Sequence, residues 1–207
     1  SKSKKTKVHF AEPITLSPEQ TNQFKYFEHH ENIELALSVC TQLGIDKNTA
    51  IKGILKNNPD PGALKIFQLN DTKKPSFFVN AFAANDSQST LKIINSIQKM
   101  HPTLDTCIFL NTRIDRPFRT KELLSLIATH IKPKKLFIRG NNLKSLIEKS
   151  EIKKQDIQIT QYNEETPAHH LSNLIQSMDQ SLTFGIGNIV GWGERFIETL
   201  KEKEIHA

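Results

Sequence analysis

The sequence predicts an α/β fold, a mostly parallel sheet with helices on both faces that is preceded by a small helical segment. Over residues 63–200, short apolar runs alternate with amphipathic helical patterns, which is typical of strands joined by crossover helices. Over residues 28–56 the apolar positions recur only at helical spacing. The two patterns together indicate a helical segment followed by a sheet-containing domain.

The helical segment contains two predicted helices. The first carries apolar residues at helical spacing, namely Ile33, Ala36, Leu37, Cys40 and Leu43. Gly44 ends this helix, and Asp46 is placed to cap the second one, "KNTAIKGILK". The stretch "NNPDPG", residues 57–62, then interrupts all periodicity with two prolines and a glycine, which predicts a domain boundary.

Six apolar runs predict the strands of the sheet. In chain order they are "ALKIFQL", "SFFVNAF", "DTCIFLN", "KKLFIRG", "IQITQY" and "LTFGI". Asp86 or Ser87 is placed to cap the helix after the second run, and Pro167 to begin the helix before the last run. The final helix is predicted to carry four residues on its apolar face, Ile189, Trp192, Phe196 and Leu200.

Charge, cysteine content and hydropathy favour a cytoplasmic protein without a nucleic-acid partner or a metal site. The formal net charge is +6, and residues 1–7 supply four of those charges without an aromatic-basic motif. Cys40 and Cys107 match no metal or redox spacing, and the histidine pairs are adjacent residues that point in different directions on a helix. No apolar run has the length of a membrane helix.

Polar residues are concentrated just past the predicted strand ends, at residues 80–86, 111–119, 140–142 and 185–188. Because parallel sheets bind ligands outside the carboxyl ends of their strands, we expect any site at this edge. The loop "LNTRIDRPFRT" places three arginines, Arg113, Arg116 and Arg119, around Asp115. Arginine suits carboxylates and phosphates, so an anion site is favoured. The alternative is a surface loop in which an Asp–Arg pair precedes a helix.

The stretch "LTFGIGNIVGWGERFI", residues 182–197, resembles the strand–glycine–helix turn that binds phosphate. The third position of the dinucleotide fingerprint falls on Val190, so we expect no complete nicotinamide or flavin site. The alternative is a tight turn in which glycine only supplies a positive φ. No GxxxxGK[ST] pattern occurs in the 207 residues, so a triphosphate cradle is not expected from this chain.

Five segments in order resemble one known family over residues 24–200. They are "YFEHHENIELALSVCTQLGI", "NPDPGALKIF", "FFVNAFAANDSQST", "FLNTRIDRPFRT" and "GIGNIVGWGERFI". Together they are similar to the carboxyl-terminal half of bacterial poly-γ-glutamate synthase catalytic subunits, in the Mur ligase group of ATP-dependent amide ligases. The resemblance implies that residues 1–57 are a tail and the last helices of a central ATPase domain. It implies that residues 58–207 are a Rossmann-like carboxyl-terminal ligase domain.

The resemblance also implies roles for individual residues. Arg113 and Arg116 would hold the carboxylate of the incoming amino acid, and the wall of that pocket would be formed by Gly185, Gly187 and Asn188. On the nucleotide side the implied residues are Asn32 at the adenine and Asn80, Asn85 and Asp86 near the ribose. Asn80 departs from the acidic residue of related ligases. No catalytic residue is implied.

The implied function is the extension of poly-γ-glutamate for a bacterial capsule through an acyl phosphate. ATP and Mg²⁺ would be the cofactors, with the P-loop and the metal ligands on another part of the ligase, so this chain would be inactive alone. The implied partners are glutamate, the growing polymer, the P-loop-bearing half and membrane subunits of a capsule synthase, which would place the chain at the inner face of the membrane. The alternatives are another Mur or folylpolyglutamate-type ligase, or a non-catalytic basic binding module.

Overall fold

The structure is a computed structural model that describes residues 8–11, 13, 30–56, 64–70, 73–84 and 86–205. The chain divides into two compact units, residues 1–59 and residues 60–207. This division lies close to the boundary expected from "NNPDPG". The assignment of the first unit to a central ATPase domain stays a prediction, and the basic residues 1–7 lie outside the described residues.

The first unit contains helices α1 (His30–Gln42) and α2 (Lys47–Leu55). Asp46 caps α2 as expected, because its Oδ1 accepts hydrogen bonds from the main-chain nitrogens of Asn48 and Thr49 at 3.0 and 3.1 Å. The two helices bury a small core, composed of Ile33, Leu37, Ala50 and Ile51. On another face of α1, large apolar side chains stay exposed, namely Leu35 (59%), Val39 (52%) and, just past the helix, Leu43 (72%).

In the described part of the second unit, six strands form one sheet, and their order is β1-β2-β6-β3-β4-β5. The strands are β1 (Lys65–Gln68), β2 (Ser76–Asn80), β3 (Asp105–Asn111), β4 (Lys135–Arg139), β5 (Gln158–Tyr162) and β6 (Ser181–Gly187). Among the described strands, the edge strand β1 alone is antiparallel to its neighbour, and the other pairs are parallel. The prediction of a mostly parallel sheet is therefore confirmed.

The helices of this unit cover both faces of the sheet. They are α3 (Ser87–Met100), α4 (Pro117–Leu126), which continues into a π-helical turn (Ile127–Ile131), α5 (Leu143–Glu148), α6 (Ala168–Gln176) and α7 (Trp192–Lys201), with a short 3-10 helix at Glu151–Lys154. Within the described ranges, every helix is too short or too polar to span a bilayer.

The strands are apolar on both sides, so alternate side chains pack into two hydrophobic cores, one on each face of the sheet. On one side Ile108, Phe184 and Ile138 pack with residues of α3, α4 and α5. On the other side a second cluster combines strand and helix residues, including Phe78, Phe109, Leu171, Phe196 and Leu200. Burial of these two clusters fixes the register of the strands and thereby the positions of their carboxyl ends.

Two local details refine the predicted elements. Of the two predicted capping residues, Asp86 and Ser87, it is Asp86 that caps α3. Its Oδ1 accepts a hydrogen bond from the main-chain nitrogen of Ser89 at 2.8 Å. The final helix begins at Trp192, so Ile189 precedes it and is not on its face. The prediction for Ile189 was wrong because Gly191, with φ +75°, interrupts the chain before the helix.

Candidate anion-binding site

A cleft lies where β3 and β6 end. Strand pairing places Asn111 opposite Gly187 as the last residues of these two parallel strands. The loops that follow bring a small set of residues to the cleft, among them Asn111, Arg113, Arg116, Arg119, Gly187 and Asn188. Four of these residues, Arg113, Arg116, Gly187 and Asn188, were expected at an amino-acid pocket. The cleft therefore joins the arginine loop to the glycine turn at the predicted edge of the sheet.

Arg113 is engaged by a carboxylate from its own loop. Its Nε and Nη2 donate to Asp115 Oδ1 and Oδ2 at 2.8 and 2.6 Å, a bidentate pair at the surface. The hydrogen bond from Arg113 lowers the pKa of the Asp115 carboxyl. This is the Asp–Arg pair expected if the segment is only a surface loop. Arg113 can therefore bind another anion only if it breaks its hydrogen bonds to Asp115 or shares its donors between the two.

Arg116 and Arg119 bring further positive charge to the same cleft. Among the residues that the structure describes, no carboxylate lies within ion-pair distance of either guanidinium. Arg119 is half-buried, and its Nη2 donates to two main-chain oxygens, that of Ala84 at 3.0 Å and that of Gly187 at 3.3 Å. Its Nε is buried without a hydrogen-bond partner. Burial, followed by the charges of Arg116 and Arg113, lowers the pKa of the Arg119 guanidinium.

These observations describe a site with unbalanced positive charge. Three guanidiniums line one cleft; among the described residues only Arg113 forms an ion pair, while Asp86 acts on Arg119 through its charge alone. A half-buried cation with neutral acceptors is costly, and an anion in the cleft would offset that cost. A carboxylate or a phosphate oxygen matches the donors that remain.

The glycine turn forms the opposite wall. Gly187 has φ +98°, and a Cβ there would lie 2.3 Å from the main-chain oxygen of Asn111. The turn is held by Asn111, whose Nδ2 donates to the Asn188 main-chain oxygen at 2.6 Å. Gly185 serves a different purpose, because its φ is not positive and a Cβ would lie 2.4 Å from Cζ of Phe78. Glycine is thus required once for conformation and once for packing.

The amino-terminus of α7 already faces a carboxylate of the chain. Glu194 accepts a hydrogen bond from the Gly191 main-chain nitrogen at 3.0 Å. The first turn of this helix is therefore occupied by its own capping residue, and the anion donors of the cleft are the arginines.

Of the residues expected near a nucleotide, Asn80 and Asp86 belong to the described part of the second unit and do not line the cleft. Asn80 is buried (2% exposed) at the end of β2, opposite Gly185 in the neighbouring strand. Both oxygens of Asp86 accept from Ser89, and these hydrogen bonds lower the pKa of the Asp86 carboxyl. Asn85 lies outside the described residues, and Asn32 is an exposed residue of α1 in the first unit. Their roles at a nucleotide stay predictions.

Two polar residues of the cleft, Arg119 and Asn111, were given no individual role by the family resemblance, although Arg119 belongs to the arginine loop expected to bind an anion. Arg119 follows Arg116 by three positions at the start of α4, a spacing that places both on one side of a helix. Asn111 is the last residue of an apolar strand, the position where parallel sheets carry ligand-binding groups. Both signals were present in "FLNTRIDRPFRT". No group of three His, Cys, Asp or Glu residues in the described ranges could hold a metal ion.

Comparison with known proteins identifies relatives of the chain. The model of the poly-gamma-glutamate synthase CapB C-terminal domain matches residues 66–203. The PGA synthase CapB of Bacillus subtilis (strain 168) is 34% identical over 209 residues, which is 99% of this chain and 53% of that protein. The capsule biosynthesis protein CapB of Bacillus anthracis is 34% identical over 206 residues, which is 97% of this chain and 44% of that protein. The chain therefore spans about half the length of the curated relatives it matches.

Solved structures share the fold at low sequence identity. Folylpolyglutamate synthase from Thermotoga maritima has a TM-score of 0.57 at 15% identity, over 85% of this chain and 39% of that chain. MurF from Acinetobacter baumannii has a TM-score of 0.51 at 17% identity, over 85% of this chain and 37% of that chain. These structures confirm the predicted α/β fold. The family model and the curated relatives confirm the resemblance to poly-γ-glutamate synthases that was predicted from the five sequence segments. The chain belongs to the family of the CapB carboxyl-terminal domain of poly-gamma-glutamate synthase.

Proposed function

We propose that this chain is the part of an ATP-dependent amide ligase that holds the incoming glutamate while poly-γ-glutamate is extended. The proposal is supported by membership of the CapB family and by a cleft with unbalanced positive charge at the carboxyl edge of the sheet. The observation that carries it is the pair Arg116 and Arg119, two guanidiniums that line the same cleft as the glycine turn and form no ion pair among the described residues. Glutamate is small, and its two carboxylates allow it to contact both guanidiniums.

In the proposed reaction, the terminal carboxylate of the polymer becomes an acyl phosphate at the expense of ATP, and the amine of glutamate replaces the phosphate to form the amide. This chain would contribute binding and orientation. Arg119 is positioned by the Ala84 and Gly187 oxygens, so it meets a carboxylate without large reorganisation. Holding the carboxylates of glutamate at the arginines would leave its amine free to face the acyl group, and a closed cleft would exclude water from the acyl phosphate.

We propose that the P-loop and the magnesium ligands lie on another part of the ligase. The sequence has no GxxxxGK[ST] pattern, and the described residues contain no group of three metal-ligating side chains. The described residues therefore do not fit a magnesium site by themselves. Asn32, Asn80, Asn85 and Asp86 remain the proposed contacts of the adenine and ribose.

We also propose that residues 1–57 belong to the ATPase domain that carries the P-loop. Among its described residues, the first unit buries a small apolar core, namely Ile33, Leu37, Ala50 and Ile51. Its exposed apolar residues Leu35 and Val39 are one turn apart on α1 and would be covered by the rest of such a domain. Contact with membrane subunits of a capsule synthase, at the inner face of the membrane, is part of the same proposal.

Two measurements test the function. The purified 207-residue chain should bind glutamate but hydrolyse no ATP in its presence; turnover would mean that the chain has a phosphate site of its own.

In a complete ligase that contains this sequence, Arg113→Ala and Arg116→Ala should raise the KM for glutamate far more than the KM for ATP. Equal effects on both substrates would contradict the assignment, and a preference for folate or cell-wall acceptors in a substrate panel would indicate a different ligase of the group.

A further inference from the structure

Arg139 is a buried cation behind the cleft. It is the last residue of β4 and only 7% exposed. Its guanidinium carbon lies 4.2 Å from the ring centre of Trp192. Its Nη1 donates to Asn111 Oδ1 at 3.1 Å, and its Nη2 donates to the main-chain oxygen of Glu164. Among the described residues no carboxylate forms an ion pair with it, and burial lowers the pKa of the guanidinium.

The contact with Arg139 decides which way the Asn111 amide points. A guanidinium can only donate, so the oxygen of the Asn111 amide must face Arg139 and the nitrogen must face away. That nitrogen donates to the main-chain oxygen of Asn188 at 2.6 Å. The main-chain nitrogen of Asn188 donates in turn to the main-chain oxygen of Asn111 at 2.8 Å. Asn111 is thus hydrogen-bonded to both main-chain groups of Asn188, the N–H and the C=O.

We propose that Arg139 is a positioning residue for the anion cleft. It orients Asn111, and Asn111 holds the Gly187–Asn188 turn in the conformation that receives the ligand. The same turn supplies one of the oxygens that hold Arg119, so a displaced turn would also displace a cleft arginine. The identity of the ligand as glutamate rests on the proposed function, whereas the chain of contacts from Arg139 to Asn188 does not.

Lysine cannot replace Arg139 in this role. The guanidinium contacts an indole face, a side-chain amide oxygen and a main-chain oxygen at once. This combination needs a planar cation with donors in several fixed directions, whereas an ammonium is a compact point charge. Arg139→Lys therefore keeps the charge and loses the orientation of Asn111.

The experiment is a double-mutant cycle with Arg139→Gln and Asn111→Ala, read out by calorimetric titration with glutamate. Each single variant should raise the dissociation constant for glutamate about tenfold, which corresponds to the loss of roughly one hydrogen bond to a charged group. The double variant should be no weaker than the worse single variant, because both changes break the same chain of contacts. Lys135→Gln, at the other end of β4, is the matched control and should bind like the wild type. Additive losses in the double variant would overturn the proposal.

Amide hydrogen exchange separates this proposal from the proposed function. In the ligand-free protein, Arg139→Gln should accelerate exchange of the Asn188 amide at least tenfold while the amides in the middle of β3 keep their protection. Unchanged exchange at Asn188, or equal acceleration throughout the sheet, would overturn the positioning role. If the wild type binds no glutamate but the local acceleration is found, the proposed function fails and the positioning role stands. If Arg139→Gln does not fold, Arg139→Lys gives the same comparison.

Discussion

Arg119 donates a hydrogen bond of 3.3 Å to the main-chain oxygen of Gly187, 68 residues further along the chain. The contact connects the arginine loop after β3 to the glycine turn after β6, and these strands are neighbours in the sheet. The second acceptor of the same nitrogen is the oxygen of Ala84, which follows β2. One cation therefore ties together three loops at the carboxyl edge, and it is held by neutral oxygens that leave its charge available to an anion.

Asp115→Asn should strengthen binding of glutamate. The substitution removes the carboxylate that pairs with Arg113 and leaves a third free guanidinium in the cleft. Because the pair is exposed, the expected gain in affinity is about two- to fivefold. Calorimetric titration at low salt measures it, and the gain should shrink as salt is raised, since surface charges are screened. Weaker binding by Asp115→Asn would mean that Asp115 contacts the ligand or positions Arg113 for it.

Gly187→Ala should destabilise the second unit more than Gly191→Ala does. Both glycines have positive φ, which costs roughly 1–3 kcal/mol for a residue with a Cβ. At Gly187 the new Cβ would also lie 2.3 Å from the Asn111 oxygen, whereas nothing lies within 4 Å at Gly191. Urea unfolding followed by emission of Trp192, the single tryptophan, compares the two variants. Equal losses would show that the close approach to Asn111 is relaxed without cost.

Alkaline pH should lower the stability of the second unit through Cys107. Burial raises the pKa of this thiol to about 11, above its ordinary value of 9.0. A raised pKa in the folded state means that the contribution is present below about pH 9 and is lost as the pH rises toward 11, by up to about 3 kcal/mol. Burial also raises the pKa of Tyr162, which acts in the same direction.

The control for this pH dependence is Cys107→Ala. The variant should be less stable at neutral pH because it leaves a small cavity, yet its free energy of unfolding should fall less steeply between pH 9 and pH 11. Denaturant unfolding at a series of pH values measures both slopes. Identical slopes would show that the thiol ionises in the folded protein without loss of stability.

Leu35→Glu combined with Val39→Glu should leave the isolated chain folded and weaken its assembly with the rest of a ligase. Both side chains are more than half exposed, so the isolated chain loses little by the change. Co-purification with the portion of Bacillus subtilis PGA synthase CapB that this chain does not match measures assembly. Lys52→Glu, an exposed position of α2, introduces the same charge as the control. Full assembly by the double variant would contradict the proposal for residues 1–57.

The strands of the fold could be predicted because each is a short apolar run between polar turns. "DTCIFLN" and "KKLFIRG" became β3 and β4 with nearly the predicted ends. The antiparallel direction of β1 could not be predicted, since a four-residue edge strand has the same pattern in either direction. The start of the last helix was misplaced at Ile189 because the apolar spacing continues across a turn that only the φ of Gly191 reveals.

The candidate site was predictable as an edge of the sheet but not as a set of contacts. Sequence placed Arg113, Arg116 and the glycine turn at neighbouring strand ends, and the cleft contains them. Contacts between distant segments decide which arginine is left without an ion-paired carboxylate. The Arg113–Asp115 pair is local, whereas the acceptors of Arg119 come from two other loops. Such partners are set by the packing of the sheet, which residue spacing alone does not specify.

Glutamate binding by Arg119 variants tests the central claim most directly. We expect calorimetric titration to give the same dissociation constant for the wild type and for Arg195→Met, an exposed arginine of α7 that does not line the cleft. Arg119→Met should bind at least tenfold more weakly, because it removes charge-assisted hydrogen bonds, and Arg119→Lys should fall between the two. Equal affinity of all four folded proteins for glutamate would contradict the account.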